Sequence, residues 1–342
     1  MPPTPSLTER LLHHLHLLPS PILDSFSNVV FVRSLAIGVR RGVFENLKGK
    51  SATVSELATA TKLSVKGTAL LVESFSSAGY LAKHADRYSL TSDSRKWLLK
   101  DSPSYIGNLI RYFETLYKRW DYLEYSLDHG IPPQRYYETF TDDDWKLYVY
   151  AMRDLANLMV GDVVKRIDLG DHPLSLLDLG GSHGLYAIEC CRRYPSLTAT
   201  VLDFASAVQL GRDIIEEEGM SERVKTVAGD FMTQDLPQHQ DCVLMFNIVH
   251  GLNESENQTL LRRVFDATRP GGKIYILDQL RGETRGKELA AFIPLTVGLN
   301  LLNEIGGNTY SFQQLKQWCS ATASIKRISL QLPGIGLIEI VR

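Results

Sequence analysis

The chain has 342 residues, a net charge of −2, and 22% charged against 44% hydrophobic residues, which is the balance of a water-soluble globular protein. This length exceeds one ordinary core and predicts two domains, or one domain with a large appendage. The near-neutral charge gives no general attraction to nucleic acid or anionic lipid, and no apolar run reaches the roughly 18 residues of a membrane helix. The N-terminus lacks a signal-peptide pattern, so we expect a cytoplasmic protein.

Histidine and cysteine spacing gives no indication of a metal site. His13, His14 and His16 fall in a predicted amphipathic helix without carboxylate or thiol partners nearby, which favours an exposed face. The four cysteines have neither metal-ligand nor redox spacing, and Cys190 and Cys191 are predicted to be buried thiols.

Residues 1–105 have the pattern of a small, mainly helical domain. A helix is predicted over "VVFVRSLAIGVRRGVFENL", followed by a short helix capped by Ser55 and a second helix ending at Gly79. The stretch "YLAKHADRYSLT" alternates like two strands around a turn at Ala85–Asp86. Helix, turn, helix and hairpin together predict a winged helix-turn-helix layout.

The second helix of this layout bears on whether the domain binds DNA. It reads "SVKGTALLVESFSSAG" and carries one Lys, one Glu and no Arg. DNA-reading helices use several Arg and Lys residues on phosphates and base edges. A structural or dimerisation module without a nucleic-acid partner is therefore favoured, and a DNA-binding regulator with a ligand-sensing C-terminal domain is the alternative.

Residues 106–170 are rich in aromatic residues and predicted to be helical. Aromatic residues at helical spacing usually pack in a core. They could also form one wall of a substrate pocket, if these helices cover the domain that follows.

From about residue 171 the pattern becomes alternating strands and helices. The predicted strands are "LSLLDLG", "TATVLDF", "VKTVAGDF", "DCVLMFNIVH" and "KIYILDQL", followed by a closing hairpin around Pro333–Gly336. Repeated βαβ units predict an α/β fold in which helices cover both faces of a parallel, Rossmann-like sheet. Ligands of such sheets bind at the carboxyl ends of the strands, where His250 lies.

A glycine loop, "LLDLGGSHGLY", connects the first of these strands to a helix. Gly180 and Gly181 allow a tight turn, and Gly184 allows close approach of the helix. Such a loop suits NAD, FAD or S-adenosylmethionine equally. Asp203 ends the next strand about 20 residues on, where a carboxylate can accept both ribose hydroxyls.

The ends of the third and fourth strands favour an adenosine ligand. In "AGDF", Asp230 can accept from an adenine amino group and Phe231 offers a flat face for the ring. The strand count leaves little room for the second half of a dinucleotide fold. Asn247, three residues before His250, is placed to reach the polar edge of the cofactor.

Taken in order, these motifs make the resemblance specific. The chain resembles, over nearly its full length, the small-molecule O-methyltransferases that combine an N-terminal winged-helix dimerisation domain with an S-adenosylmethionine-binding domain. The motifs that carry the resemblance are the winged-helix region, "YAMRDLA", "LLDLGGSHG", "LDFASAV", "AGDF", "NIVH", "RPGGKIYILD" and "GGNTYSFQQLKQW". It implies a homodimer, S-adenosylmethionine as cofactor, and three parts: 1–105 for dimerisation, 106–170 as a helical pocket wall, and 171–342 for cofactor binding and catalysis.

The resemblance also implies roles for single residues. His250 would be the general base, oriented by Asp278, and Met152 would contribute to the substrate pocket. The residues implied for the cofactor are Asp178, Gly180, Gly181, Gly184, Asp203 for the ribose, Asp230 and Phe231 for the adenine, and Asn247. Further pocket residues are expected from "AFIPLTVGLNLLNE", with core packing as the alternative for the apolar ones: Phe292, Leu295, Leu299, Asn300, Asn303 and Glu304.

Two departures from the family pattern concern the reaction. Many members follow the histidine with Asp-Trp, where this chain has Gly251 and Leu252. Many also carry a second acid at the position of Thr309, and Glu304, just upstream, could replace it. The leading hypothesis is O-methylation of a hydroxyl on an aromatic or polyketide-like molecule. The alternative is an enzyme that keeps the cofactor but catalyses cyclisation, hydroxylation or decarboxylation.

Overall fold

In the computed structural model, the described residues are 7–15, 17, 20–282, 289–319 and 323–342, and the chain forms two compact units, Met1–Leu116 and Tyr117–Arg342. The finer division at residues 105 and 170 stays a prediction. His16 and the side chains of His13 and His14 lie outside the described residues, so their predicted exposure is not tested.

The N-terminal unit combines helices with a small antiparallel sheet. Its helices are α1 (Leu7–His14), α2 (Ser20–Ile22), α3 (Asn28–Arg40), α4 (Val54–Thr61), α5 (Val65–Ser77) and α6 (Ser92–Leu98). Its strands are β1 (Ala52–Thr53), β2 (Leu81–His84) and β3 (Arg87–Leu90), in the order β1-β3-β2. The sequence α4, α5, β2, β3 agrees with the predicted helix-turn-helix and hairpin, to which β1 adds an unpredicted strand.

Three helix ends in this unit differ from prediction. Helix α3 ends at Arg40, whereas the predicted helix extended to Leu47, where the chain forms a separate 3₁₀ turn. The cap of α4 is Thr53 rather than Ser55: the Thr53 hydroxyl accepts the Glu56 N–H, and the Glu56 carboxylate accepts the Thr53 N–H. Thr53 has the extended backbone that a capping residue needs, whereas Ser55 already lies in the first helical turn. Helix α5 ends at Ser77, two residues before the predicted Gly79.

The C-terminal unit is built on one large sheet. Helix α7 (Gly107–Arg119) spans the boundary between the two units, and the helices after it are α8 (Leu123–His129), α9 (Asp142–Asn157), α10 (Val160–Arg166), α11 (Leu185–Arg193), α12 (Ala205–Glu217), α13 (Glu254–Ala267), α14 (Leu289–Ile305) and α15 (Phe312–Trp318). The strands are β4 (Ser175–Leu179), β5 (Thr198–Asp203), β6 (Val224–Ala228), β7 (Gln240–Phe246), β8 (Thr268–Gln279), β9 (Ser324–Ser329) and β10 (Ile335–Val341). Short 3₁₀ turns lie at Trp120–Tyr122, Tyr136–Thr139 and Val249–Gly251.

The strand order confirms the predicted α/β fold. The order is β6-β5-β4-β7-β8-β10-β9, parallel from β6 to β8 and antiparallel in the closing hairpin. Alternate strand residues pack into two separate apolar cores, one with α10 and α11 and the other with α13 and α15, so helices cover both faces. Cys190 and Cys191 are buried in the first of these cores, as predicted.

Two strand boundaries also differ from prediction. Strand β8 already begins at Thr268 rather than at the predicted Lys273, so the "TRPGG" segment belongs to it, with a register shift against β7. Strand β7 ends at Phe246, four residues before His250, because Asn247 has a φ of 56° that breaks the extended conformation. His250 therefore lies in a 3₁₀ turn beyond the strand. Among the described helices, none combines the length and apolarity needed to cross a bilayer.

Candidate active site

The glycine loop at the carboxyl end of β4 is held against the next strand. Gly180 has a φ of 63°, its N–H donates to the Leu202 carbonyl at 2.8 Å, and a Cβ at this position would collide with Ile248. Ser182, with a φ of 43°, donates its N–H to Asp203 Oδ2 at 2.9 Å. Backbone strain at such non-glycine positions is typical of functional loops.

The loop also encloses a buried carboxyl group. Asp178 is 1% exposed, and neither of its carboxyl oxygens has a hydrogen-bond partner among the described residues. A side chain at Gly181 would collide with this carboxyl group, and the Gly184 N–H closes the turn onto the Gly181 carbonyl at 2.8 Å. Burial, with a contribution from nearby Asp203, raises the pKa of Asp178 from 3.8 to about 8. The carboxyl group is therefore mostly protonated at pH 7.

The ends of β5 and β6 bring the expected adenosine residues beside this loop. Burial raises the pKa of Asp203 to about 6, although the N–H groups of Ser182 and Phe204 donate to it. Asp230 accepts the Met232 N–H at 2.8 Å. The Phe231 ring lies 3.7 Å from where a Gly180 Cβ would be, so one edge of the glycine loop is aromatic.

His250 and Asp278 form a direct pair. The distance from His250 Nδ1 to Asp278 Oδ1 is 2.6 Å, and the His250 main-chain N–H donates to Oδ2 at 3.2 Å. The Gln279 N–H donates to Oδ1 at 2.8 Å, so protein donors hold the 1% exposed carboxylate from several sides. With Nδ1 donating to the carboxylate, Nε2 is the ring nitrogen that can accept a proton.

The charge around His250 favours its protonated form. Burial lowers the pKa of His250, but Asp278, Gln279 and Glu304 together outweigh burial, and the net pKa is raised above 6.5. The His250 side chain is 15% exposed, which leaves it accessible to a ligand. Asn247, on the same turn, accepts from the Gln279 amide at 3.4 Å.

The end of α14 packs against the His250 turn. The Asn308 N–H donates to the His250 carbonyl at 2.9 Å, and a Cβ at Gly307 would collide with that carbonyl. Glu304, 5% exposed, accepts from Arg119 Nη1 at 2.8 Å and from Asn300 Nδ2 at 3.1 Å.

The remaining predicted pocket residues have different environments. Asn303 accepts from Ser126 Oγ at 2.9 Å and donates to the Arg119 carbonyl at 2.9 Å, so it joins α14 to the preceding helices. Exposed apolar side chains follow one another along α14: Phe292, Leu295 and Leu299. Met152 is half-buried on α9. These four apolar side chains are therefore partly or largely exposed, and their role in a substrate pocket stays a prediction.

Several residues at the site were missed in the sequence. Arg119 lies 185 positions from its partner Glu304, and no local pattern links the two. Ser182 stands within the quoted glycine motif, but its positive φ depends on the folded turn. Tyr148 is a half-buried tyrosine whose pKa is raised by desolvation to about 12, and the sequence showed only its helical spacing. The Thr309 hydroxyl donates to the Pro294 carbonyl at 2.9 Å, so this position supports α14.

The family of the chain follows from a comparison with known proteins. Residues 114–320 match the O-methyltransferase domain family, which is more than half of the chain. The chain belongs to that family. This O-methyltransferase uses S-adenosylmethionine as its cofactor.

Individual relatives share most of the chain length. The O-methyltransferase is 23% identical to 3-hydroxy-5-methyl-1-naphthoate 3-O-methyltransferase of Streptomyces sahachiroi, covering 92% of this chain and 93% of the relative. It is 25% identical to the tetracenomycin polyketide synthesis 8-O-methyl transferase of Streptomyces glaucescens, covering 88% and 90%. The crystal structure of human N-acetylserotonin methyltransferase with S-adenosylmethionine has the same fold, with a TM-score of 0.82, 22% identity, and coverage of 100% and 99%.

Proposed function

We propose that this O-methyltransferase methylates a hydroxyl group of an aromatic or polyketide-like small molecule, with His250 as general base and Asp278 as its orienting partner. The observation that carries the proposal is the 2.6 Å contact between His250 Nδ1 and Asp278 Oδ1 at the carboxyl edge of the sheet. The substrate class is supported by two Streptomyces relatives, whose names specify a naphthoate and a tetracenomycin polyketide. Such products also support a role in secondary metabolism.

The reaction requires two contributions from the protein, alignment of the reactants and removal of a proton. Bound S-adenosylmethionine supplies an electrophilic methyl group, and alignment of reactants can lower a barrier by about 7–11 kcal/mol. A phenol with a pKa near 10 is mostly neutral at pH 7, so a base that takes its proton adds a factor of roughly 10²–10⁴. His250 suits this role because Asp278 fixes its tautomer and leaves Nε2 to receive the proton.

The residues around the glycine loop fit a cationic amino acid joined to a nucleoside. Both oxygens of the buried Asp178 lack partners among the described residues, and a cationic ligand would favour its ionised form. We propose that Asp203 binds the ribose, that Asp230 and Phe231 contact the adenine, and that Asn247 reaches the cofactor's polar edge. Gly180, Gly181 and Gly184 would keep the loop free of side chains at the ligand.

For the substrate side, we propose a pocket formed by Met152, Phe292, Leu295, Leu299, Asn300 and Asn303. Glu304 would supply the second acid beside His250. This is supported by its position at the end of α14, where the following residues contact the His250 turn.

The direct test is incubation with S-adenosylmethionine and a panel of phenols, hydroxynaphthoates and hydroxylated polyketides. Release of S-adenosylhomocysteine with a product one methyl group heavier would support methylation. A rearranged, hydroxylated or decarboxylated product alongside intact S-adenosylmethionine would instead support the non-methylating alternative.

We also propose a cytoplasmic homodimer formed through residues 1–105, with 106–170 as pocket wall and 171–342 as catalytic domain. Dimerisation is supported by a series of exposed apolar side chains near the N-terminus: Leu7, Leu11, Leu15, Leu17, Ile22 and Phe26. Analytical ultracentrifugation of the full chain and of a variant with Leu11 and Leu15 changed to Ser should give a dimer and a weakened dimer. A monomeric full chain would contradict the proposal.

A further inference from the structure

An ion pair within the C-terminal unit joins Arg119, the last residue of α7, to Glu304 on α14. Arg119 Nη1 lies 2.8 Å from Glu304 Oε1, with the two side chains 18% and 6% exposed. The Arg119 guanidinium also lies over the Tyr136 ring at 5.3 Å and the Phe140 ring at 4.9 Å. Aromatic faces stabilise a cation that has lost much of its hydration, so this arginine is held in one position.

The second carboxylate oxygen of Glu304 is also engaged. Asn300 Nδ2 donates to Glu304 Oε2 at 3.1 Å, and Trp120 Nε1 donates to Asn300 Oδ1 at 2.8 Å. Both oxygens of Glu304 therefore have partners that stabilise the ionised form. Any influence of Glu304 on its surroundings is then exerted mainly through its negative charge.

The end of the helix that carries Glu304 adjoins the turn that carries the proposed base. Residues just beyond Glu304 contact the His250 turn, including the Asn308 N–H at 2.9 Å from the His250 carbonyl oxygen. Burial raises the pKa of Glu304 and Arg119 opposes that rise, while the Glu304 carboxylate helps to raise the pKa of His250. Asp278 and Gln279 on β8 also act on the pKa of His250, and Tyr148 and Asp144 on α9 interact electrostatically with Arg119.

We propose that Arg119 is a positioning residue that keeps Glu304 ionised beside His250, so that the Arg119–Glu304 pair provides the second acidic support of the proposed base. Thr309 cannot provide it, because its hydroxyl carries no charge and already donates to the Pro294 carbonyl. The proposal rests on the proposed function of His250.

The sign of the effect distinguishes this role from a structural one. Without Arg119, burial favours protonated Glu304, the negative charge disappears, and the pKa of His250 falls. If Glu304 stayed ionised without Arg119, its unopposed charge would instead hold or raise the pKa of His250. A fall in the pKa of His250 therefore supports the proposed role, and an unchanged or higher pKa contradicts it.

The test is a nuclear magnetic resonance titration of His250 in protein labelled at its nine histidines, with the signal assigned by comparison with His250→Ala. Arg119→Met and Glu304→Gln should each move the titration to lower pH. The double variant should match Glu304→Gln alone, because both changes remove the same charge. An unchanged or higher titration point in Arg119→Met would overturn the proposal.

Kinetics supply a second readout. Because a weaker base removes a proton less effectively, Arg119→Met should lower turnover on the order of tenfold, while Arg119→Lys should retain most of it. The matched control is Arg166→Met, which breaks the 3.1 Å ion pair with Asp162 and should leave both readouts unchanged. If Arg119→Met does not fold, Arg119→Lys and Glu304→Gln still carry the test: Lys must preserve the titration and Gln must shift it.

The failure of this inference is distinguishable from the failure of the proposed function. Full activity in His250→Ala would remove His250 as the base, whatever the titrations show. An inactive His250→Ala combined with an Arg119→Met titration like wild type would overturn the role of Arg119 alone.

Discussion

Two aspartates at the carboxyl edge of the same sheet are equally buried but differently supported. Asp178 is the last residue but one of β4 and Asp278 the last but one of β8, and each is 1% exposed. Asp278 accepts from His250 Nδ1, the His250 main chain and the Gln279 main chain. Asp178 has no hydrogen-bond partner among the described residues.

The difference separates a preorganised half of the site from a half that a ligand would complete. Around Asp278 the protein itself supplies donors, so the carboxylate and the imidazole are held before any substrate arrives. Around Asp178 burial is the largest influence and the nearby Asp203 adds to it, which is why its pKa rises to about 8. The contrast predicts that changes at the β7 and β8 ends alter turnover, whereas changes at the β4 end alter cofactor binding.

The largest effect is expected from His250→Ala. Loss of the proposed base should lower turnover by about 10²-fold or more, since proton transfer by a positioned group contributes roughly 10²–10⁴-fold. S-adenosylmethionine affinity, measured by calorimetry, should stay within a few-fold of wild type. A comparable loss of turnover and of S-adenosylmethionine affinity would contradict the division of the site into two halves. An unchanged turnover would exclude His250 from the reaction.

Asp278→Asn should have the next largest effect. A hydrogen bond to a charged group contributes about 1.5–3 kcal/mol, so turnover should fall by roughly 10- to 150-fold. The Asp278 carboxylate raises the pKa of His250, so its loss should move the acid limb of the pH–rate profile to lower pH. An acid limb that moves to higher pH would show that the carboxylate does not act on the titrating base.

Asp178→Asn tests the other half. In the ligand-free protein Asp178 is protonated below about pH 8, and a bound cation would favour its ionised form. Wild-type S-adenosylmethionine affinity should therefore rise with pH up to about 8, with proton release on binding at pH 7. The variant should bind on the order of tenfold more weakly at pH 8 and lack this pH dependence.

Calorimetry in two buffers of different ionisation enthalpy measures the released proton directly. The stability effect has its own sign, because the folded pKa of Asp178 is raised from 3.8. Ligand-free wild type should lose stability as pH rises from about 4 to 8, and Asp178→Asn should remove that loss. In the calorimetry, equal proton release from wild type and Asp178→Asn on cofactor binding would show that the released proton comes from another group.

Sequence and structure agree where the information is local. Alternating apolar runs between helices predicted the sheet, and the spacing of strand ends placed His250 and Asp278 on one edge. The Arg119–Glu304 pair joins residues that are far apart in the chain, and no sequence spacing encodes it. The β8 start at Thr268 was missed because "TRPGG" has turn composition, yet strand pairing with Gln240 extends the ladder.

The smallest effect is expected from Thr309→Val, which separates shape from charge at the end of α14. The substitution keeps the volume and removes the hydrogen bond to the Pro294 carbonyl, so the free energy of unfolding should fall by about 1 kcal/mol. The melting temperature should fall by roughly 2–4 °C, and the titration of His250 should not move. A shifted His250 titration would show that Thr309 acts on the base, and the second support would then have to be sought there rather than at Glu304. An unchanged His250 titration in Thr309→Val, together with a shifted one in Glu304→Gln, would locate that support in the Arg119–Glu304 ion pair.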